Sequence, residues 1–429
     1  MANKPTFVTS QSSQSDEETP TILTMPTPEN LSDVPPPAQS WALYAWISSA
    51  LCVGVMSTAL VSPLYPLYQT LYGFTNADIS YIHIVYMLGV MASLLFLGNL
   101  NSYFGYWTIL RAGLVMMIVG LIIMMMFATH AGLMTGRFLV GVASGMISTS
   151  TMLGMIKTIP SQFADRAPQY SSTINVIGFG LGPLLGGVIA EFFMWPLIMP
   201  YAVMILAAVA VSFQLLRKAR AVKVEKTGTL KFLPNMRIPS APVRTTFLII
   251  SFGAFLAFGI FSFFGSLATS FLHEFLNDAG PLINGISVAA VLLISGVVQF
   301  SCKSLDPRKN FLMGIGTLGL GCVVVIATIL LHIPRLFIVA VVLSGIGHGL
   351  TLVASFSLLH RISTPAIKSA ALSSFLFIGY FGMIIPIVIS GYISDWFGIN
   401  TGVITFCIMM LCLAVLLFVK TWCRRHVTI

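Results

Sequence analysis

Seven histidines and six cysteines are scattered through 429 residues, and no cluster of them offers metal ligands or a nucleophile with its base. No Gly-x-x-x-x-Gly-Lys loop is present to cradle a nucleotide. The residues that could do chemistry are isolated ionisable groups inside long apolar stretches. His348 stands in Gly345-Ile-Gly347-His348-Gly349, Arg137 opens Arg137-Phe-Leu-Val-Gly141-Val-Ala-Ser-Gly145, and His83 has Tyr86 one helical turn on. An imidazole changes charge near physiological pH, and a guanidinium stays charged. Such groups suit holding a proton and a polar or anionic substrate, not breaking a bond. His348, Arg137 and His83 are therefore the candidates for substrate and proton coupling. No catalytic residue, metal or cofactor is expected.

The elements that position them follow from the charge map. Hydrophobic residues make up 57% of the chain and charged residues 8%, where a soluble domain averages about 25% charged. A soluble enzyme or a nucleic-acid-binding protein could not cover its surface with so little charge. Twelve gaps of 19 or more residues contain no Asp, Glu, Lys or Arg: 34–77, 79–110, 112–136, 138–156, 167–190, 192–216, 245–273, 279–302, 310–334, 336–360, 369–394 and 396–419. Each fits one membrane-crossing helix, which needs about 20 mostly apolar residues. They are numbered spans 1 to 12, the first expected over Trp41 to Ser62. No gap alternates with period two, as a transmembrane barrel would. The fold expected is all-α, with twelve transmembrane helices in two six-helix pseudo-symmetric bundles.

Charge placement gives the orientation. With a cytoplasmic N-terminus, 20 of the 22 Lys and Arg fall on the cytoplasmic side, Arg137 lies within span 4, and only Arg335 faces outward. The +9 net charge is thus a topology signal. The organisation expected is a disordered cytoplasmic tail (1–40), a six-helix bundle (41–216), a basic cytoplasmic linker (217–244), a second bundle (245–420) and a short cytoplasmic tail (421–429). The protein is expected to sit as a monomer in a bacterial inner membrane, with lipid and a small-molecule substrate as its partners and no nucleic acid. The six cysteines fall in spans or on the cytoplasmic side and are expected as free thiols.

The halves repeat. At an offset of 204, Gly141, Gly145, Gly178 and Gly187 fall on Gly345, Gly349, Gly382 and Gly391, and Glu191 falls on Asp395. Two parallel halves joined by a linker suit alternating access, in which the halves rock about a site near the bilayer midplane. Gly141 and Gly145 share one face of span 4, as Gly178, Gly182 and Gly186 do in span 5. Small residues on such a face let a neighbouring backbone pack closely. Pro183 removes a backbone donor among them.

These strings resemble the major facilitator superfamily over nearly all of residues 41–420. Gly178-Phe-Gly180-Leu-Gly182-Pro183-Leu-Leu-Gly186-Gly187 matches the family's antiporter motif at every specified position. That motif is typical of drug:proton antiporters and also occurs in other branches. The string from Arg137 resembles the span 4 motif, whose Arg the family links to proton coupling. Pro63-Leu-Tyr-Pro66 resembles the Pro-x-x-Pro of twelve-helix drug exporters. One segment departs. The loop after span 2 reads Gly98-Asn-Leu-Asn-Ser102-Tyr103-Phe-Gly105-Tyr106-Trp107, without the Asp and the three Arg usual there. The cytoplasmic latch made by those charges is in doubt, or is carried by Lys303, Asp306, Arg308 and Lys309.

The resemblance implies proton-coupled efflux of an amphipathic compound, with spans 1, 4, 7 and 10 bordering the cavity. None of these carries an intramembrane carboxylate. The alternative is an uptake permease for a metabolite, or an uncoupled facilitator; a membrane-embedded enzyme lacks the clustered residues it needs. The six phenylalanines of span 7, from Phe252 to Phe264, offer an apolar wall or a lipid-facing surface. The Lys and Arg asymmetry makes a direct prediction. In a chain stripped of native cysteines, Thr229→Cys should resist a membrane-impermeant maleimide in intact cells and react after permeabilisation. Reaction in intact cells would reverse the assigned orientation.

Overall fold

The computed structural model describes residues 41–97, 100–160, 162–163, 167–218, 236–276, 279–302, 305–364 and 367–423. Among them, twelve helices are long and apolar enough to cross a membrane. They are span 1 (Trp41–Tyr72), span 2 (Asn76–Phe96), span 3 (Tyr106–Met126), span 4 (His130–Thr158), span 5 (Tyr170–Phe192) and span 6 (Met199–Arg217), then span 7 (Val243–Gly265), span 8 (Pro281–Ser301), span 9 (Pro307–Leu331), span 10 (Arg335–Ile362), span 11 (Ala370–Phe397) and span 12 (Ile399–Cys423). Spans 1–6 and 7–12 form two six-helix bundles, each around its own apolar cluster. The tail 1–40, linker residues 219–235 and residues 424–429 lie outside the described residues.

Lipid is as apolar as leucine, so close backbone packing must supply much of the attraction between these helices. The repeated glycines provide it. Gly141 and Gly145 face the Tyr86 carbonyl and the Ser93 side chain of span 2. Their counterparts Gly345 and Gly349 face Ile294 and the Ser295 carbonyl of span 8. Gly178, Gly182 and Gly186 lie in turn against the carbonyls of Cys52, Met56 and Leu60 in span 1. Gly382 meets the backbone of Phe255 in span 7, as Gly178 meets span 1.

A second face of span 5 crosses to the other bundle. Gly187 lies against Pro281 and Leu282 of span 8, and the Pro183 carbonyl lies against Gly285. The antiporter string therefore serves two contacts, one within its bundle and one across the seam. Spans 2 and 11 form the other side of that seam.

Span 1 is broken, and the chain breaks again just after span 7. Span 1 runs as an α-helix over Trp41–Ala59, tightens to a 3₁₀ turn at Ser62–Leu64, and resumes over Tyr65–Tyr72. The sequence pattern ended this span at Ser62. It continues because Pro63 and Pro66 each stand in a first turn, where a missing N–H costs nothing. Beyond span 7 the chain breaks at Ser266 and forms a further helix, Leu267–Phe275. At the offset of 204 the two breaks coincide, Val61 falling on Gly265.

The span 7 phenylalanines do not form one wall. Phe263 and Phe264 are buried in the second bundle against Phe406 and Phe337. Phe258 and Phe261 pack against the core of the first bundle as well. Only Phe252 among them is strongly exposed.

The glycine contacts predict a graded series. A Cβ at Gly182 would stand 2.5 Å from the Met56 carbonyl oxygen, whereas at Gly178 the nearest atom, the Cys52 oxygen, is 3.2 Å away. Gly178→Ala should keep most transport. Gly182→Ala should lose about 10-fold, and Gly182→Leu or Gly186→Leu should abolish transport while the protein still inserts. Equal transport by all four variants, measured beside membrane-inserted protein, would contradict this packing.

Candidate functional site

The break in span 1 builds the first polar cluster. Thr58 is next to the last residue of the first segment, where helix carbonyls run out of backbone donors. Arg137 reaches it from span 4, donating from Nη1 to the Thr58 carbonyl at 2.6 Å and from Nη2 to the Tyr65 hydroxyl at 2.9 Å. Its guanidinium carbon also lies 4.8 Å from the centre of the Tyr86 ring, within cation–π range. Arg137 is 1% exposed. It therefore turns into the bundle and does not extend toward the membrane surface. No carboxylate pairs with it among the described residues, and its Nε–H has no hydrogen-bond partner there. A buried cation is expensive in a membrane, and here two hydrogen bonds and the face of the Tyr86 ring are what compensate it.

His83 sits beside the same cluster. Its ring meets Tyr65 edge-on at 6.4 Å and lies against Gly265, at the break following span 7. It is 3% exposed, and neither ring nitrogen has a partner among the described residues. Of the two histidine candidates, it is His83 that stands where the span 1 break meets the one after span 7.

His348 belongs to a separate cluster near the middle of span 10. Its Nδ1 is 2.7 Å from Ser295 Oγ, which accepts from Gln299 Nε2 at 3.0 Å. A hydroxyl that accepts from Gln299 can donate its own proton to Nδ1, which leaves a neutral ring with its N–H at Nε2. That nitrogen has no partner among the described residues. The ring lies 6.2 Å from Phe261, which in turn meets Phe179 of span 5 at 6.4 Å. His348 thus connects through Phe261 to the opposite bundle.

The structure does not join Arg137 to His348. The partners of Arg137 lie on spans 1 and 2, and those of His348 on spans 7 and 8. The sequence placed both on cavity-bordering helices, but it could not show which face each side chain takes. Tyr65 and Ser295 went unrecognised as partners. For Tyr65 a signal existed, since Pro63-Leu-Tyr-Pro66 encloses it.

The loop that lost its charges is held differently. Asn101 donates to Thr149 Oγ1 at 3.0 Å and accepts from Ser150 Oγ at 2.7 Å, fastening it to span 4 of its own bundle. Gly105 follows at a φ of 81°, which favours glycine. On the matching loop, Asp306 accepts from the Arg308 backbone N–H, and Arg308 Nη2 donates to the Thr421 carbonyl. Lys303 lies outside the described residues.

Comparison with known proteins agrees with this architecture. A model described as Major Facilitator Superfamily matches residues 47–305 and 300–428. The chain is 23% identical over 375 residues to an uncharacterised MFS-type transporter of Methanocaldococcus jannaschii, covering 82% of this chain and 91% of that one. It is 30% identical over 137 residues to the quinolone resistance protein NorA of Staphylococcus aureus, covering 32% of this chain and 35% of that protein. It is 26% identical over 151 residues to the riboflavin transporter RibZ of Clostridioides difficile, covering 34% and 33%. The match therefore spans about a third of the length of these last two relatives. Among solved structures, a bacterial homologue of the human lysosomal transporter Spinster, inward-facing and occupied, superposes with a TM-score of 0.70 at 14% identity, covering 89% of this chain and 96% of that one. The POT family transporter PepTSo gives 0.72 at 12% identity, covering 90% and 99%. At these identities the likeness is one of fold.

The Arg137 geometry carries its own test. Arg137→Lys keeps the charge, but one ammonium cannot reproduce the two-armed hold on Thr58 and Tyr65. Transport should fall about 10-fold or more, and Tyr65→Phe should cost less, since one charge-assisted bond is lost. Parent-level transport in both variants would show that this hold is dispensable.

Proposed function

The chain belongs to the major facilitator superfamily, and we propose that it is a proton-coupled exporter of a small amphipathic compound bearing a hydrogen-bond-accepting or anionic group. The observation that carries this reading is a pair of buried nitrogens, His348 Nε2 and Arg137 Nε, that have no hydrogen-bond partner among the described residues. A buried donor without an acceptor costs free energy, and a substrate oxygen at either group would offset it. The aromatic side chains Phe179, Phe258, Phe261 and Tyr380 along the seam supply the apolar surface such a compound needs. The likeness to a quinolone resistance protein supports export.

Coupling is assigned to His348, with Arg137 acting from its own cluster. A protonated His348 would hold a substrate acceptor more strongly than the neutral ring, and proton loss would weaken the hold. Differential affinity of this kind lets an ion bias a two-state equilibrium. Uptake of a metabolite is the second reading, favoured by the likeness to a riboflavin transporter. Deleting the gene separates the two: cellular substrate rises when an exporter is lost and falls when an importer is lost.

His348→Gln keeps hydrogen bonding and removes titration. It should flatten the pH dependence of transport between about pH 5.5 and 7.5, around the ordinary imidazole range. Arg137→Ala should lower transport at every pH. An unchanged profile in His348→Gln, measured with purified protein in vesicles, would make His348 a structural residue and move coupling to His83 or away from protons.

A further inference from the structure

The motif comparison left one repeated pair unused: Glu191 and Asp395, which fall on each other at the offset of 204. Both stand at the end of the bundles where spans 2 and 8 begin, Glu191 in the last turn of span 5 and Asp395 in the last turn of span 11. Both cross the seam. The two carboxylate oxygens of Asp395 accept from the backbone N–H groups of Asn76, at 2.8 Å, and Ala77, at 3.0 Å. These are the first two residues of span 2, in the opposite bundle. Glu191 Oε2 accepts from the N–H of Leu282 at 3.3 Å, in the first turn of span 8, again in the opposite bundle. The glycine at 280 leaves room for this approach, since a Cβ there would strike the Glu191 carboxylate.

The packing beneath each carboxylate repeats as well. One turn before Glu191, Gly187 lies against Pro281 and Leu282; one turn before Asp395, Gly391 lies against Ser80 and Asn76. Each half thus carries a glycine that lets the facing helix approach, followed four residues later by an acid on that helix's N-terminus. The first turn of a helix exposes unpaired N–H groups and a partial positive charge, so a carboxylate is favoured there. Asp78 does not compete for this role. It closes a capping box with Thr75 on its own helix and lies 3.1 Å from His130 Nε2.

We infer that Glu191 and Asp395 are paired positioning residues for alternating access: two carboxylate-to-helix latches that hold the bundles together at this end and release when it opens. The hydroxyls of Tyr81 and Tyr392 add a hydrogen bond across the seam beside the Asp395 latch. The pairing explains why the acids repeat: a single latch would leave the other side of the seam free to open. It also places a closing device at the opposite end from the loop whose charges are missing.

The test uses the full chain without native cysteines, in open membrane fragments where a maleimide reaches both faces. Ser80→Cys reports below the Asp395 latch, and Asn284→Cys reports one turn into span 8 from the Glu191 latch; both positions are buried. Asp395→Asn should speed labelling at position 80 about two- to five-fold, and Glu191→Gln should do so at 284, the bias of one exposed charge at a helix terminus. The double variant should speed both about five- to twenty-fold, while Asp395→Glu should stay near the parent rate. Amounts of inserted protein should not change. Labelling at the parent rate in the double variant would overturn the proposal, as would equal acceleration by Asp395→Glu and Asp395→Asn. No substrate is added, so the result stands apart from the assignment of an exporter.

Discussion

Close approach of backbones at glycine is the constraint on which this structure rests. In water, burial of apolar surface would hold such helices together. In lipid that drive is absent, and helices associate where their backbones can come close. Span 5 shows the consequence. Its Gly178, Gly182 and Gly186 bring it onto span 1, and Gly187 brings it onto span 8 across the seam. One helix is thereby fixed within its bundle and also packed against the other. A change at either face would alter a contact that holds this helix in place.

Against this apolar packing, each buried polar group needs a source of partners. For Arg137 the break in span 1 provides it, because an interrupted helix offers backbone groups that an intact one consumes. Arg137 uses the first break directly, through the Thr58 carbonyl and through Tyr65, the first residue after the turn. His83 lies where that break faces the one after span 7. Satisfaction is incomplete in each cluster: among the described residues, nitrogens of Arg137, His83 and His348 lack a partner, and each belongs to a group that can carry charge. A conformational change that hydrates the seam would relieve them, which links polar chemistry to motion.

The repeat separates scaffold from chemistry. Packing glycines and terminal carboxylates recur at the offset of 204, so both halves hold their shape and close their ends by the same means. The ionisable candidates do not recur. Arg137 falls on Val341, His348 on Ser144, and His83 on Ser287. A symmetric machine has thus acquired an asymmetric interior. The first bundle carries the permanent charge, and the second carries a titratable ring tied to the seam by Phe261.

Twelve spans, two bundles and the repeat were legible in the sequence because lipid imposes them locally. Each span must be apolar over about 20 residues, and each close contact must leave a glycine in the text. The continuation of span 1 past Pro66 escaped, because prolines that read as an end also fit the start of a new segment. The side chains' partners escaped for a different reason. Which face of a helix a residue occupies relative to eleven others is a property of the packed bundles, and period alone does not give it. Tertiary structure alone put Arg137 on the span 1 break, separated it from His348, and placed His83, a candidate in span 2, where the span 1 break meets the one after span 7. It also turned Glu191 and Asp395 from a matched pair in the repeat into caps on helices 91 and 319 residues away in the chain.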